Sequence, residues 1–315
     1  MKFIKLVIAT TKLEAYKTST FMILLLVLCF TTALFAQETS SYWLKRGLVT
    51  EDLNLKIIYF TKSIKLDPKN IESYYHRGFA YAVLANDYFD HGDDNLGLVK
   101  CDEAIKDFTK VIKINPKSDS AYCSRGKVFS TLSEYDKAIK DYTKAIELNS
   151  SNSEAYYLRG ISKYLSGKEP LRDYTHAIVL NEFKLVECYG EYIDPNDYKK
   201  LLENMRKEER LKKMSARIYI SRAFFYEKSG DSDRLTEEQR SNFYNEAFKD
   251  YNKAIKLDPE NADAYYHRGL AFRRLNQKIE AADDFNKYLE IRGDKDGFAD
   301  KVRQWIKELG FIPKY

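Results

Sequence analysis

Along residues 135–148 the apolar positions are Tyr135, Ala138, Ile139, Tyr142, Ala145, Ile146 and Leu148, with charged side chains between them. Steps of three and four residues place this set on one stripe of an α-helix. The same periodicity returns along most of the chain. It is broken at Leu66-Asp67-Pro68, Ile114-Asn115-Pro116 and Leu257-Asp258-Pro259. Proline biases the residue before it away from the helical region, so each tripeptide closes one helix and opens a turn. The pattern predicts an all-α chain of short amphipathic helices. In 296–310 the residues Phe298, Val302, Trp305, Ile306 and Leu309 predict a last helix that covers an otherwise exposed apolar end.

The first residues follow another pattern. Residues 21–36 read Phe-Met-Ile-Leu-Leu-Leu-Val-Leu-Cys-Phe-Thr-Thr-Ala-Leu-Phe-Ala, preceded by Lys2, Lys5, Lys12 and Lys17 and followed by a polar stretch from Gln37. A basic start, a short apolar core and a small residue at its end describe a secretory signal over 1–36. The ending Leu34-Phe35-Ala36-Gln37 resembles bacterial Sec signals, and cleavage after Ala36 is the simplest reading. It predicts a periplasmic or secreted product. An uncleaved anchor is the alternative, although such a helix reaches about 24 Å against a hydrocarbon core of roughly 30 Å.

Beyond this segment, three phrases recur. The first is Tyr74-Tyr75-His76-Arg77-Gly78, repeated around Gly126, Gly160, Ala223 and Gly269, with a weaker copy ending at Gly47. The second is Tyr142-Thr143-Lys144-Ala145-Ile146, repeated from Phe60, Phe108, Tyr174, Tyr251 and Phe285. The third is the closing Leu-Asp-Pro or Leu-Asn-Ser, as at Leu148-Asn149-Ser150. These linked phrases resemble the tetratricopeptide repeat family, a helix–turn–helix unit, and residues 119–152 fit it without gaps. The resemblance covers nearly all of 40–293. It implies an α-solenoid, a right-handed superhelix of stacked helix pairs with a C-terminal capping helix, over 37–310. A glycine in mid-helix costs roughly 1 kcal/mol against alanine. It is sensible where the partner helix comes too close for a larger side chain.

Spacing between the small anchor residues is uneven. Gly160 to Ala223 is too long an interval for one unit, and predicts a degenerate seventh pair: 183–193 around Gly190, then a charged helix over 196–214 after Pro195. The intervals Gly78 to Gly126 and Ala223 to Gly269 predict insertions near 84–100 and 229–244, read as lengthened helices with polar loops.

Composition narrows the function. Hydrophobic residues make 44% and charged residues 31%, which excludes a disordered chain and a polytopic membrane protein. A formal net charge of +5, partly held in the N-terminal segment, does not describe a nucleic-acid binder; contact with a membrane is expected only through 1–36 if that segment is retained. Cys101, Cys123 and Cys188 are widely spaced and form no metal or disulfide framework, so they read as buried thiols. The loop Asp90-His91-Gly92-Asp93-Asp94-Asn95 has donor atoms but lacks the spacing of a calcium loop. No phosphate loop, nucleophile elbow, zinc-protease motif or dinucleotide fingerprint occurs. The expectation is no enzyme, no cofactor and no metal. His76 and His267 share one slot of the repeat and read as exposed imidazoles inherited with it.

One row of charges reads as structural. Arg46, Arg77, Arg125, Arg159, Arg222 and Arg268 precede the small residue, and Asp107, Asp141, Asp173, Asp250 and Asp284 precede the second-helix aromatic. A partly buried guanidinium needs a carboxylate. The expected pairs are Arg77–Asp107, Arg125–Asp141, Arg159–Asp173, Arg222–Asp250 and Arg268–Asp284. The family resemblance implies that first helices line a concave groove. Its residues here are Tyr75, Phe79, Lys127, Tyr157, Ile161, Tyr164, Phe224 and Tyr266, with a basic end at Arg273 and Arg274. The Lys/Asn carboxylate clamp of chaperone-binding relatives is not reproduced; Lys127 alone stands in such a slot. The expected function is a non-catalytic interaction module holding a protein or peptide segment. A structural or self-associating envelope protein, or a membrane-anchored assembly factor, is the alternative.

Overall fold

A computed structural model of the chain describes residues 39–190, 198–293 and 298–315. The signal segment 1–36, Pro195 and the N-terminal edge of the predicted 296–310 helix lie outside these residues. Among the described residues there are thirteen helices and no strand. None of these helices is long and apolar enough to cross a membrane. The chain divides into two compact units, Met1–Val128 and Phe129–Tyr315.

The first unit holds α1 (Ser40–Val49), α2 (Leu53–Leu66), α3 (Ile71–Asp90), α4 (Asp94–Ile114) and the start of α5 (Asp119–Thr131). Short polar side chains start these helices. The side chains of Thr39, Asp52, Asn70 and Asp93 each accept a backbone N–H of the first turn. The closing residues Asp67 and Asn115 fold the turn back, each accepting the N–H two residues on (2.9 and 3.1 Å). Each helix packs on the next, from α1 to α4, and α1 also touches α3. Phe60 of α2 and Phe108 of α4 fill the core. The segment 84–100 is helical on both sides of a three-residue connection in which Gly92 takes a positive φ of 78°.

The second unit continues with α6 (Tyr135–Leu148), α7 (Ser153–Leu165), α8 (Leu171–Gly190), α9 (Tyr198–Gly230), α10 (Glu237–Leu257), α11 (Ala262–Arg274), α12 (Lys278–Arg292) and α13 (Ala299–Glu308). Successive helices pack on one another, and α9 also touches α7 and α11. The first helices of the pairs, α7, α9 and α11, thus lie in one row. Gly160 and Gly269 permit the close approach within a pair. A Cβ on Gly160 would stand 2.7 Å from the Tyr174 ring, and one on Gly269 2.9 Å from the Phe285 ring. The segment 229–244 spans the end of α9, a connection, and the start of α10, which opens on a capping box between Thr236 and Gln239. Val302 and Ile306 of α13 are fully buried against α12 and Phe285, closing the last pair.

Two long helices run through the region read as a degenerate seventh pair, and residues 191–197 between them lie outside the described residues. In place of extra short helices, α8 runs on to Gly190 and α9 is a single 33-residue helix. Leu180-Asn181-Glu182 lacks the proline that follows Asp67, Asn115 and Asp258, and Leu185 and Cys188 extend the buried face beyond it. From Tyr198 to Ser229 there is neither glycine nor proline to stop a helix. Asn181 stands in the register of the closing residues but in mid-helix. It is fully buried, and neither its Oδ1 nor its Nδ2 has a partner.

Candidate interaction surface

The arginine row organises the pairs. Arg77 clasps Asp107 through two parallel bonds, Nε to Oδ2 at 2.8 Å and Nη2 to Oδ1 at 2.7 Å. Arg159 holds Asp173 in the same way (3.1 and 2.8 Å), Arg222 holds Asp250 (2.7 and 2.8 Å), and Arg268 holds Asp284 (2.8 and 2.6 Å). Such forked geometry joins the two helices of one pair. The remaining nitrogen, Nη1, reaches the second helix of the preceding pair. It donates to Thr61 from Arg77 (3.0 Å), to Thr143 from Arg159 (3.1 Å), to Thr175 from Arg222 (3.3 Å), and to Asn252 from Arg268. Each guanidinium also lies over the tyrosine three residues earlier, for example Arg222 over Tyr219 at 5.6 Å. Arg125 is in the first unit, where its Nη1 donates to Thr109 (3.0 Å); Asp141 is in the second, where it is buried. Arg46 has Tyr59 in place of an acid, at 3.4 Å.

The carboxylates divide by the number of cations they face. Burial raises the pKa of Asp107, Asp250 and Asp284 against the lowering pull of a single arginine. Asp173 is held by Lys163 as well as Arg159, at 2.9 Å, and its pKa falls below the ordinary value although burial opposes the shift.

The predicted groove residues have several fates. In the first unit Tyr75 is half-buried; its ring meets Phe108 edge-on and its Oη lies 3.2 Å from Ser124 Oγ. Phe79, one residue after Gly78, is 53% exposed, with Val83 beside it also exposed. Lys127 of α5 is half-buried. In the second unit Tyr157 reaches from α7 to Ser221 of α9 (3.3 Å), and Tyr164 packs edge-on against Phe224 at 5.8 Å. Ile161 is half-buried against the core formed by Tyr174, Ile178 and Ile218. Leu165 stands 52% exposed at the end of α7.

The basic end of this groove is not a free one. Arg274 is paired with Glu227 and lies 3.0 Å from Asp231, while Arg273 is bound to Glu308 at 2.8 Å and lies over Trp305. Tyr266 is taken by the cap, its ring 5.5 Å from both Tyr288 and Phe298. Glu227 carries this correction. It is 1% exposed, accepts from Tyr251 Oη at 2.9 Å, and its pKa is raised by burial. Glu227 stands four residues after Ala223 and Arg274 five residues after Gly269, so the pair joins two different slots of successive units and does not follow from the repeat register. The histidines also differ from exposed imidazoles. His76 is stacked on Phe60, and His267 packs against Phe224 with Nδ1 buried and unpartnered; burial lowers the pKa of both. In the loop 90–95, Asp93 caps α4 and His91 Nδ1 lies 2.7 Å from the Asp87 carbonyl.

Sequence profiles of the tetratricopeptide repeat match residues 120–152 and 262–295, and a further repeat profile matches 241–276. Over 44 residues the chain is 43% identical to the human mitochondrial import receptor subunit TOM70, a stretch that is 14% of this chain and 7% of that protein. The match therefore spans a small part of the curated relative. Among solved structures, the Naa15/Naa10 complex bound to HypK-THB aligns with a TM-score of 0.54 at 16% identity, over 86% of this chain and 42% of that one. The assembly chaperone of RpL4, Acl4, aligns with a TM-score of 0.52 at 10% identity, over 74% and 84%. At these identities the likeness is one of fold: all-α, built of tetratricopeptide repeats, of the solenoid class. This is the fold of protein-interaction scaffolds, which are typically non-catalytic.

Proposed function

We propose that this chain is a non-catalytic scaffold that holds a protein or peptide segment against the row of first helices, and that it works after export directed by residues 1–36. The observation that carries the binding reading, taken in each unit by itself, is the exposure of a large apolar side chain on a first helix, Phe79 at 53% in the first unit and Leu165 at 52% in the second. They lie one and five residues after the small anchor, positions that the repeat pattern assigns to the groove. Around Leu165, the rings of Tyr164 and Phe224 supply an aromatic floor. Aromatic and aliphatic anchors of this kind dominate protein interfaces. Crosslinking capture should recover the same partner with wild type and with Ile279→Ser, an exposed second-helix change, and lose it with Leu165→Ser. Equal recovery by all three would end the reading. For export, the mature product should begin at Gln37 by N-terminal sequencing; an intact start in a membrane fraction would mean a retained anchor.

A second reading, self-association, draws on α8, where Val179, Phe183 and Val186 form an exposed stripe on a second helix. A light-scattering mass of one chain would exclude it.

A further inference from the structure

The exposed face of α9 carries a cationic stripe. Arg206, Arg210, Lys213 and Arg217 recur in steps of four, three and four, and continuing at the helical period leads to Phe224 and Lys228. All four cations are exposed, whereas Ser215, Ile218 and Tyr219 on the other side of the helix are buried. Lys213 pairs with Glu209 at 2.7 Å within the same helix. Arg206, Arg210 and Arg217 have no carboxylate in salt-bridge reach among the described residues. The stripe from Arg206 to Arg217 is about 17 Å long. It runs into the aromatic floor where Phe224 meets Tyr164, beside exposed Leu165.

We infer that α9 docks an acidic amphipathic helix of a partner protein, with carboxylates along this stripe and an apolar residue over Phe224 and Leu165; this rests on the groove reading above. Carboxylates spaced four, three and four residues apart on a partner helix repeat with the same period as the cations, so both ridges can face each other along several turns. The stripe is narrow, flanked by Glu203 and Glu209 as well as by Lys207, and it ends on apolar rings. A polypeptide with one acidic face and one apolar anchor fits that sequence of groups better than a phosphate backbone or a lipid surface, both of which spread charge in two dimensions.

The test uses the full chain and two synthetic helical peptides labelled with fluorescein, read by anisotropy. One has glutamates at the stripe spacing and a leucine beyond them; the other has glutamine at each glutamate. The glutamate peptide should bind about tenfold more tightly in low salt, since several exposed pairs of modest worth add up. That preference should fade as salt shortens the screening length. The variant Arg206→Gln/Arg210→Gln/Arg217→Gln, changed only at exposed positions, should bind both peptides alike. Equal binding of both peptides by wild type overturns the acidic partner while leaving the groove reading standing, provided Leu165→Ser weakens both. Binding of neither peptide overturns the inference. So does a tighter, stripe-dependent association with an oligothymidylate or with phosphatidylglycerol vesicles.

Discussion

Changing Asp250 to alanine should show how strongly the arginine row couples the helices. Asp250 is 7% exposed and Arg222 17%, and they share two bonds of 2.7 and 2.8 Å. Removing one member of a buried pair costs about 3–5 kcal/mol because the other is left uncompensated. Arg222 would keep its bond to Thr175 and its place over Tyr219, and some of its surface is wet. Asp250→Ala therefore belongs at the lower end, about 3 kcal/mol. Arg222→Met strands a carboxylate whose pKa burial already raises, so protonation limits its cost to a similar value. The double variant Arg222→Met/Asp250→Leu removes both charges and should lie within about 1–2 kcal/mol of wild type, in either direction. Urea unfolding followed by circular dichroism gives the double-mutant cycle. Two single costs of about 3 kcal/mol against a double variant near wild type give a coupling energy of about 4–8 kcal/mol; strict additivity of the two single changes would refute the reasoning.

Thr175→Val should cost about 0.5–1 kcal/mol, because the 3.3 Å bond is exposed and water can replace it, while leaving the Arg222–Asp250 fork intact; no loss would mean that Nη1 does not join successive pairs. Gly160→Ala should destabilise by about 1–3 kcal/mol through overpacking on Tyr174, even though alanine is the better helix former; a stabilised variant in urea unfolding would show that the ring has room to move. Asp173, with its lowered pKa, should add stability above its unfolded pKa and lose it as pH falls through the folded value, whereas Asp250, with its raised pKa, should add stability below its unfolded pKa and lose it as pH rises through the folded value. Carboxyl NMR titration should place the two on opposite sides of the ordinary value, and Lys163→Met should move Asp173 upward. Burial pushes the Cys101 thiol up to about 11, so alkylation at neutral pH should wait for unfolding; fast labelling of the native chain would contradict its place in the core.

Much of this architecture is legible in the sequence because its causes are local. The apolar stripe of 135–148, the turn-closing Asp67-Pro68 and the small residues Gly160 and Gly269 each act within one or two helices. The arginine–aspartate forks are legible because both partners recur in step. Their third contact is hidden: Thr61 and Thr143 sit in a phrase that reads as an ordinary polar helix face, and their role depends on how one pair stacks on the next. The fate of Arg273 and Arg274 is hidden for the same reason, since Glu308 and Glu227 lie far away along the chain. Asn181 misleads in the other direction. It carries the mark of a helix end, but without a following proline the buried positions at Leu185 and Cys188 carry the helix through it.

Hydroxyl-radical footprinting of the chain, alone and with its captured partner, tests the proposed binding surface side chain by side chain. Leu165 should lose reactivity on binding, while Phe183 and Ile279, more exposed but on second helices of the same unit, should keep theirs. Protection of Phe183 and Ile279 with Leu165 unchanged would put the partner on the wrong layer and contradict the account.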